Sequence, residues 1–213
     1  MEESGSRAHL VQADLSTEEG VDELAKAVAG ISAELHVLVN NASIFEHDDI
    51  ATATRQSWDR HLESNLRAPF VLMQEMARAV PEPETDARGE PRARGLVVNM
   101  IDQRVRKLTP AFMSYTIAKM GLWALTRSAA QALAPRIRVN AIGPGPTVRG
   151  HRQSEAHFEA QRRATILGRG SDADEICAAL AYLLAAPGVT GQLICVDGGQ
   201  HLGWQTPDVL GLE

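Results

Sequence analysis

Four short apolar runs constrain this chain more than any other feature. They are Leu35–Val39, Leu96–Met100, Ile137–Ile142 and Gln192–Val196, each of strand length and separated by segments of helical pattern. Runs that are apolar on both faces suit buried parallel strands better than half-solvated ones. Ser16 or Thr17 caps an intervening helix, with Glu18 and Glu19 in its first turn and Leu24, Ala25 and Val28 on its apolar side. A second helical pattern runs over 54–80 through Trp58, Leu62, Leu66, Phe70 and Met73, with Pro69 placed to kink or end it. A third covers 111–133, and a fourth opens at Ser171 or Asp172 and carries Ile176, Leu180 and Leu183. Residues 8–14 read as a further short strand, 81–94 as an exposed loop, and 148–170 as a polar, arginine-rich helical segment. Alternating strands and helices predict an α/β fold built on a doubly wound parallel sheet, in one domain spanning 1–213.

Composition narrows the partners. The net charge is −6 and the basic residues are scattered, which argues against a nucleic-acid or anionic-membrane surface. No apolar run reaches the ~18 residues of a membrane span, and the polar, acidic segment 1–6 does not resemble a signal peptide. Cys177 and Cys195 form no framework of spaced pairs and are expected as buried, reduced thiols of a cytoplasmic protein.

Chemistry is expected beyond the carboxyl ends of the strands, where open parallel sheets bind ligands. Asp14, the segment Asn40 to Phe45, Asp102 and the segment Gly143 to Thr147 fall there. Tyr115 and Lys119 sit four apart, so a helix presents them on one face. An ammonium beside a phenol favours the phenolate and draws the tyrosine pKa down. Asp102, thirteen residues upstream, can meet the pair where a strand end abuts the helix start. Each feature has a plainer reading alone. Asn40-Asn41 and Pro144-Gly145 can be turns, Asp102 a loop carboxylate, Asn65 a solvated helix residue, and Phe45 a core ring under a loop.

Their joint order resembles the short-chain dehydrogenase/reductase family. Asn40-Asn41-Ala42-Ser43 is similar to the family's NNAG-type segment, Asn65 to its helix asparagine, and Tyr115 and Lys119 to its YxxxK. Pro144-Gly145-Pro146-Thr147 is similar to the segment that closes over the nicotinamide, and Val196-Asp197-Gly198-Gly199 to a strand-end signature near the C-terminus. Two departures narrow the likeness: Asp102 replaces the usual catalytic serine, and Ser43 the usual glycine, with Phe45 two residues on. These resemble the pteridine reductases and related dihydromonapterin and dihydrofolate reductases.

The resemblance implies a catalytic set of Asp102, Tyr115, Lys119 and Asn65, with Tyr115 as proton donor and Asn65 holding a water. It implies NADPH contacts from Asp14, Leu15, Asn41, Ala42, Ser43, Tyr115, Lys119, Pro144, Gly145 and Thr147. Ser43, Phe45, Asp102 and Tyr115 would meet a small-molecule substrate, a dihydropterin whose ring stacks on Phe45. It also implies a homodimer or homotetramer and no metal. The family's first strand, glycine-rich TGxxxGxG turn and second strand have no counterpart in these 213 residues, so the natural chain is expected to begin upstream of Met1. Residues that choose NADPH over NADH lie on that second strand, so both stay open. Two other functions fit the pattern: a non-catalytic oligomer partner, and a reductase of carbonyl or hydroxy substrates.

Overall fold

The computed structural model describes residues 7–150 and 153–206. The expectation for 1–6 lies outside them, as do residues 151–152 of the arginine-rich segment. Four parallel strands make the central sheet in the order β1-β4-β5-β6. They are β1 (Val37–Asn40), β4 (Gly95–Met100), β5 (Ile137–Pro144) and β6 (Leu193–Val196). Among the described residues six α-helices accompany them: α1 (Glu18–Ile31), α2 (Arg55–Leu62), α3 (Ala68–Ala79), α4 (Met113–Ala132), α5 (Glu155–Arg163) and α6 (Ala173–Ala185). The α/β, Rossmann-like class is as the sequence indicates.

The buried strands alternate strictly in what they touch. Val97 and Val139 point to one face, against Met73 and Met76 of α3 and Ala130 of α4. Leu96, Val98 and Ile142 point to the other, against Leu183 of α6. Both faces are therefore covered, which is why the runs carry no polar alternation. A buried polar chain crosses the sheet near its carboxyl ends. Asn40 donates to Asn99 (2.8 Å), Asn99 to Thr126 (2.9 Å), and Thr126 to the Leu122 carbonyl (2.8 Å). It locks β1, β4 and α4 in register where the site is built.

Several expectations change. Residues 8–14 form no strand and lie exposed as irregular chain. Among the described strands β1 pairs only with β4, so its outer edge is left unpaired and residues 8–14 do not join it. Residues 81–94 are not wholly loop: Glu84–Thr85 (β2) and Pro91–Arg92 (β3) pair as a small antiparallel ladder. Cys177 is exposed rather than buried, one position off the inward stripe of α6 set by Ile176, Leu180 and Leu183, and Cys195 is half-buried; both are free.

The 54–80 helix is interrupted. A π-helical turn, Glu63–Arg67, joins α2 to α3, and Pro69 sits in the first turn of α3. Proline has no N–H to give the carbonyl of Asn65 four residues back, so the helix absorbs it with a wider turn. The buried face is mixed: Met73 of the expected stripe is buried and Leu62 and Leu66 are half-buried, but Trp58 and Phe70 are exposed, whereas His61, Ser64 and Asn65 are buried.

Candidate active site

Asp102 emerges at the end of β4, where the Ile101 amide still pairs with the Ile142 carbonyl (2.8 Å). One carboxylate oxygen accepts from the Arg104 amide (2.7 Å), capping a short 3-10 turn at Gln103–Arg106. The other accepts from the Tyr115 hydroxyl (2.9 Å). Tyr115 and Lys119 lie on the buried face of α4, and Lys119 Nζ donates to the Met100 carbonyl (2.9 Å). The three side chains picked out from spacing thus converge at one point.

Their electrostatics differ from the sequence expectation in one respect. Burial, then the Asp102 carboxylate and its hydrogen bond, hold the Tyr115 phenol well above its usual pKa. Lys119 does not draw it down: its ammonium is committed to Met100 and lies 5.7 Å from the ring centroid. Burial lowers Lys119 itself to about 8, against the pull of Asp102. Burial also raises Asp102, opposed by the Arg104 amide and charge, Tyr115 and Lys119. The trio therefore favours a protonated phenol beside a carboxyl that holds a proton more tightly than usual.

A cavity of about 960 Å³ opens beside Asp102, lined by Ser43, Phe45 and Phe112 on one side and Pro144 to Thr147 on the other. Phe45 stacks on Phe112 (centroids 4.3 Å, planes 9° apart) and meets Tyr115 edge-on at 4.7 Å. Arg104 sits over the Phe112 ring at 5.1 Å. Phe112 precedes α4 with φ 59° and ψ 49°, a left-handed conformation that bulky residues rarely adopt and that costs about 1–3 kcal/mol. That turn aims its ring into the cavity. Neither Phe112 nor Arg104 was selected from the sequence; a phenylalanine directly ahead of the helix after Pro110 carries no signal for a left-handed turn.

The 144–147 segment is held firmly. Arg162 of α5 donates to the Pro146 carbonyl (3.0 Å), and the Thr147 and Ser171 hydroxyls lie 3.2 Å apart. Gly145 has a packing reason to be glycine: a Cβ there would stand 2.7 Å from Asp197 Cα.

Other selected residues are placed differently. Asn65 does not point at Tyr115; its side chain accepts from the Ile44 amide (2.9 Å) and donates to the Ile44 carbonyl (2.8 Å). Asp14 accepts from the Ser16 amide (2.9 Å) and hydroxyl (2.7 Å) at the turn into α1. Asp14, Leu15, Asn41 and Ala42 do not line the cavity, and Tyr115 and Lys119 lie buried behind Asp102 rather than on its lining. Among the described residues no His, Cys, Asp and Glu cluster could hold a metal ion, and no helix is long and apolar enough to cross a membrane.

Comparison with known proteins decides the family. A family model described as enoyl-(acyl carrier protein) reductase matches residues 1–201. The chain belongs to the short-chain dehydrogenase/reductases. Among solved structures, it is similar to alternative dihydrofolate reductase 1, FolM, from Brucella suis, in complex with NADP. The TM-score is 0.87 and the identity 45%, over 98% of this chain and 80% of that one. Among curated relatives, dihydromonapterin reductase of Enterobacter sp. (strain 638) is 26% identical over 195 residues, 92% of this chain and 78% of the relative. A probable galactose dehydrogenase, GalD, of Rhizobium meliloti (strain 1021) is 30% identical over 204 residues, 92% of this chain and 76% of the relative.

Proposed function

We propose that this short-chain dehydrogenase/reductase reduces a dihydropterin-type C=N bond with NADPH. The observation that carries the reading is the Tyr115–Asp102 hydrogen bond at the edge of a cavity walled by stacked aromatic rings. The likeness to FolM and to dihydromonapterin reductase supports it.

The donor set suits the nicotinamide end of the cofactor. Lys119 spends one N–H on Met100 and has two left for ribose hydroxyls. Ser43, Pro144, Gly145 and Thr147 border the cavity beside Asp102, with Asn41 and Ala42 just before Ser43 and the Asp14-Leu15 turn assigned to the adenine end. NADPH, when bound, supplies hydride to the ring carbon. Tyr115 gives its phenolic proton to the ring nitrogen. The Asp102 carboxylate accepts from the Tyr115 hydroxyl at 2.9 Å and, because burial raises its pKa, takes up a proton from solvent more readily than an ordinary carboxylate and relays it to the Tyr115 oxygen after the first transfer. A serine could not make that second transfer as a net acid. Lys119 is cationic below pH about 8, where all of its remaining N–H groups are available to the ribose. With its side chain bonded to Ile44, Asn65 would hold a water of the relay through its main-chain carbonyl, to which Pro69 four residues on has no N–H to donate. Exposed Trp58, Phe70, Ile117 and Met120 on the π-interrupted helix and α4 support assembly as a dimer or tetramer.

The test is NADPH oxidation with dihydrobiopterin, dihydromonapterin and dihydrofolate, beside simple ketones. Turnover of a dihydropterin that is lost in Tyr115→Phe supports the reading. Turnover of ketones alone removes the pterin and leaves the second reading, a carbonyl or hydroxy substrate, which the galactose dehydrogenase likeness favours.

A further inference from the structure

We propose that Asp48, Ser114 and His61 form a latch that holds the ribbon 44–48 on α2 and α4, and that the latch sets the cavity's affinity for a flat heteroaromatic substrate. The second clause rests on the reading of the cavity given above; the first does not.

The ribbon obeys a period of two. Its inner positions are each tied to a helix. Ile44 is clamped through both backbone groups by Asn65 (2.9 and 2.8 Å). Glu46 donates its amide to His61 Nε2 (3.1 Å). The Asp48 carbonyl accepts from the Phe112 amide (2.7 Å), and its carboxylate accepts from the Ser114 amide (3.1 Å). The outer positions, Phe45 and His47, present their rings to the cavity. Extended backbone sends alternate side chains to opposite sides, so fixing 44, 46 and 48 aims 45 and 47.

The network is buried, directional and complete. Asp48, His61 and Ser114 are 2%, 0% and 0% exposed. Because His61 Nε2 accepts from an amide, it carries no proton. The proton is on Nδ1, which donates to the Ser114 hydroxyl (2.7 Å). Ser114 in turn donates to Asp48, which also accepts from Ser57 (3.2 Å). Every donor thus faces an acceptor only while His61 is neutral. A second proton would set an N–H against the Glu46 N–H and open the latch at its centre. The His61 ring also packs edge-on to Tyr115 at 6.1 Å, and Asp48 fixes the two residues ahead of Tyr115, so the latch holds Phe45 and Tyr115 relative to each other.

The groups facing His61 are the Asp48 and Glu46 carboxylates and the Ser57 carbonyl, which favour its charge, and Arg60, which opposes it. Burial outweighs them and holds the imidazole below its usual pKa. These are positioning residues; none of the three is assigned a contact with substrate.

The experiment compares the native chain with His61→Gln and His61→Leu. Glutamine can still accept from the Glu46 amide but does not titrate; leucine removes the acceptor. Amide hydrogen exchange at Phe45 and Glu46 reads the latch without turnover. The expectation is exchange about tenfold or more faster in His61→Leu, with protection kept in His61→Gln. Native protection should fall on acidification below the ordinary imidazole pKa of ~6.5. KM for dihydrobiopterin should rise in the native protein by up to about tenfold per pH unit below the His61 pKa, with kcat changing less, and this limb should vanish in His61→Gln. Equal Glu46 exchange in all three proteins overturns the latch. A parallel KM limb in His61→Gln overturns its control of affinity. Changed exchange without any reduction of dihydrobiopterin keeps the latch and sinks the pterin reading alone.

Discussion

Replacing Asp102 by asparagine should lower the Tyr115 pKa yet leave it above the ordinary phenol value. The substitution is nearly isosteric, and the amide oxygen can still accept from the Arg104 N–H that the carboxylate holds at 2.7 Å. What disappears is a negative charge whose oxygen lies 2.9 Å from the phenol oxygen. Two unit charges about 4 Å apart at an effective dielectric near 20 interact by about 4 kcal/mol, or about three pKa units. Solvent relaxation reduces this, so the expected fall is about one to three units. Burial is the larger cause of the elevation and is untouched, which keeps Tyr115 high. The chain has only two tyrosines, so a Tyr182→Phe background leaves Tyr115 as the sole ionisable phenol. Tyrosinate absorbance followed with pH then reads the one group. A downward move of the absorbance step supports the charge coupling. An unmoved or rising step refutes it. Reductase activity should fall about a hundredfold in the same variant, since one partner in proton transfer typically contributes that much.

Lys119→Met should abolish turnover yet cost little stability. Burial drops Lys119 from 10.5 to about 8, so charging it opposes folding by about 3 kcal/mol, fully below pH 8 and less as pH rises toward 10.5; the Tm difference between variant and native chain should shift against the variant across that window. Asn65→Ala should destabilise by about 1–3 kcal/mol, because both Ile44 backbone groups lose their partner, and chemical denaturation measures it.

The fold was legible where one physical demand acted alone. Leu96–Met100 is buried on both faces, so every residue reports the same constraint, and the strand is found where the run lies. Thr17 and Asp172 cap α1 and α6 by local hydrogen bonding, which a sequence window contains in full. Residues 8–14 failed for the opposite reason. A strand is a pairing, and the sequence of one partner does not reveal whether a neighbour lies alongside. Cys177 failed by one residue, about 100° of helix, a margin that composition cannot resolve.

The site was legible in its chemistry and hidden in its support. Tyr115 and Lys119 are fixed by helical spacing, and Asp102 joins them through a strand end whose position follows from the β4 run. The supporting side chains needed a different reading of the 54–80 helix. Ser57, His61 and Asn65 recur every four residues, a polar stripe as regular as the apolar one through Trp58, Leu62, Leu66 and Phe70. Hydrophobicity alone turns the second stripe inward. The structure turns the first inward, because each of its members has a bonded partner: Asp48 for Ser57, Ser114 and Glu46 for His61, Ile44 for Asn65. Burying polar groups is tolerable only when every one is satisfied. A regular polar stripe beside chemistry-bearing loops is therefore a sequence signal for a hydrogen-bonded clamp. The apolar stripe it displaces leaves Trp58 and Phe70 exposed.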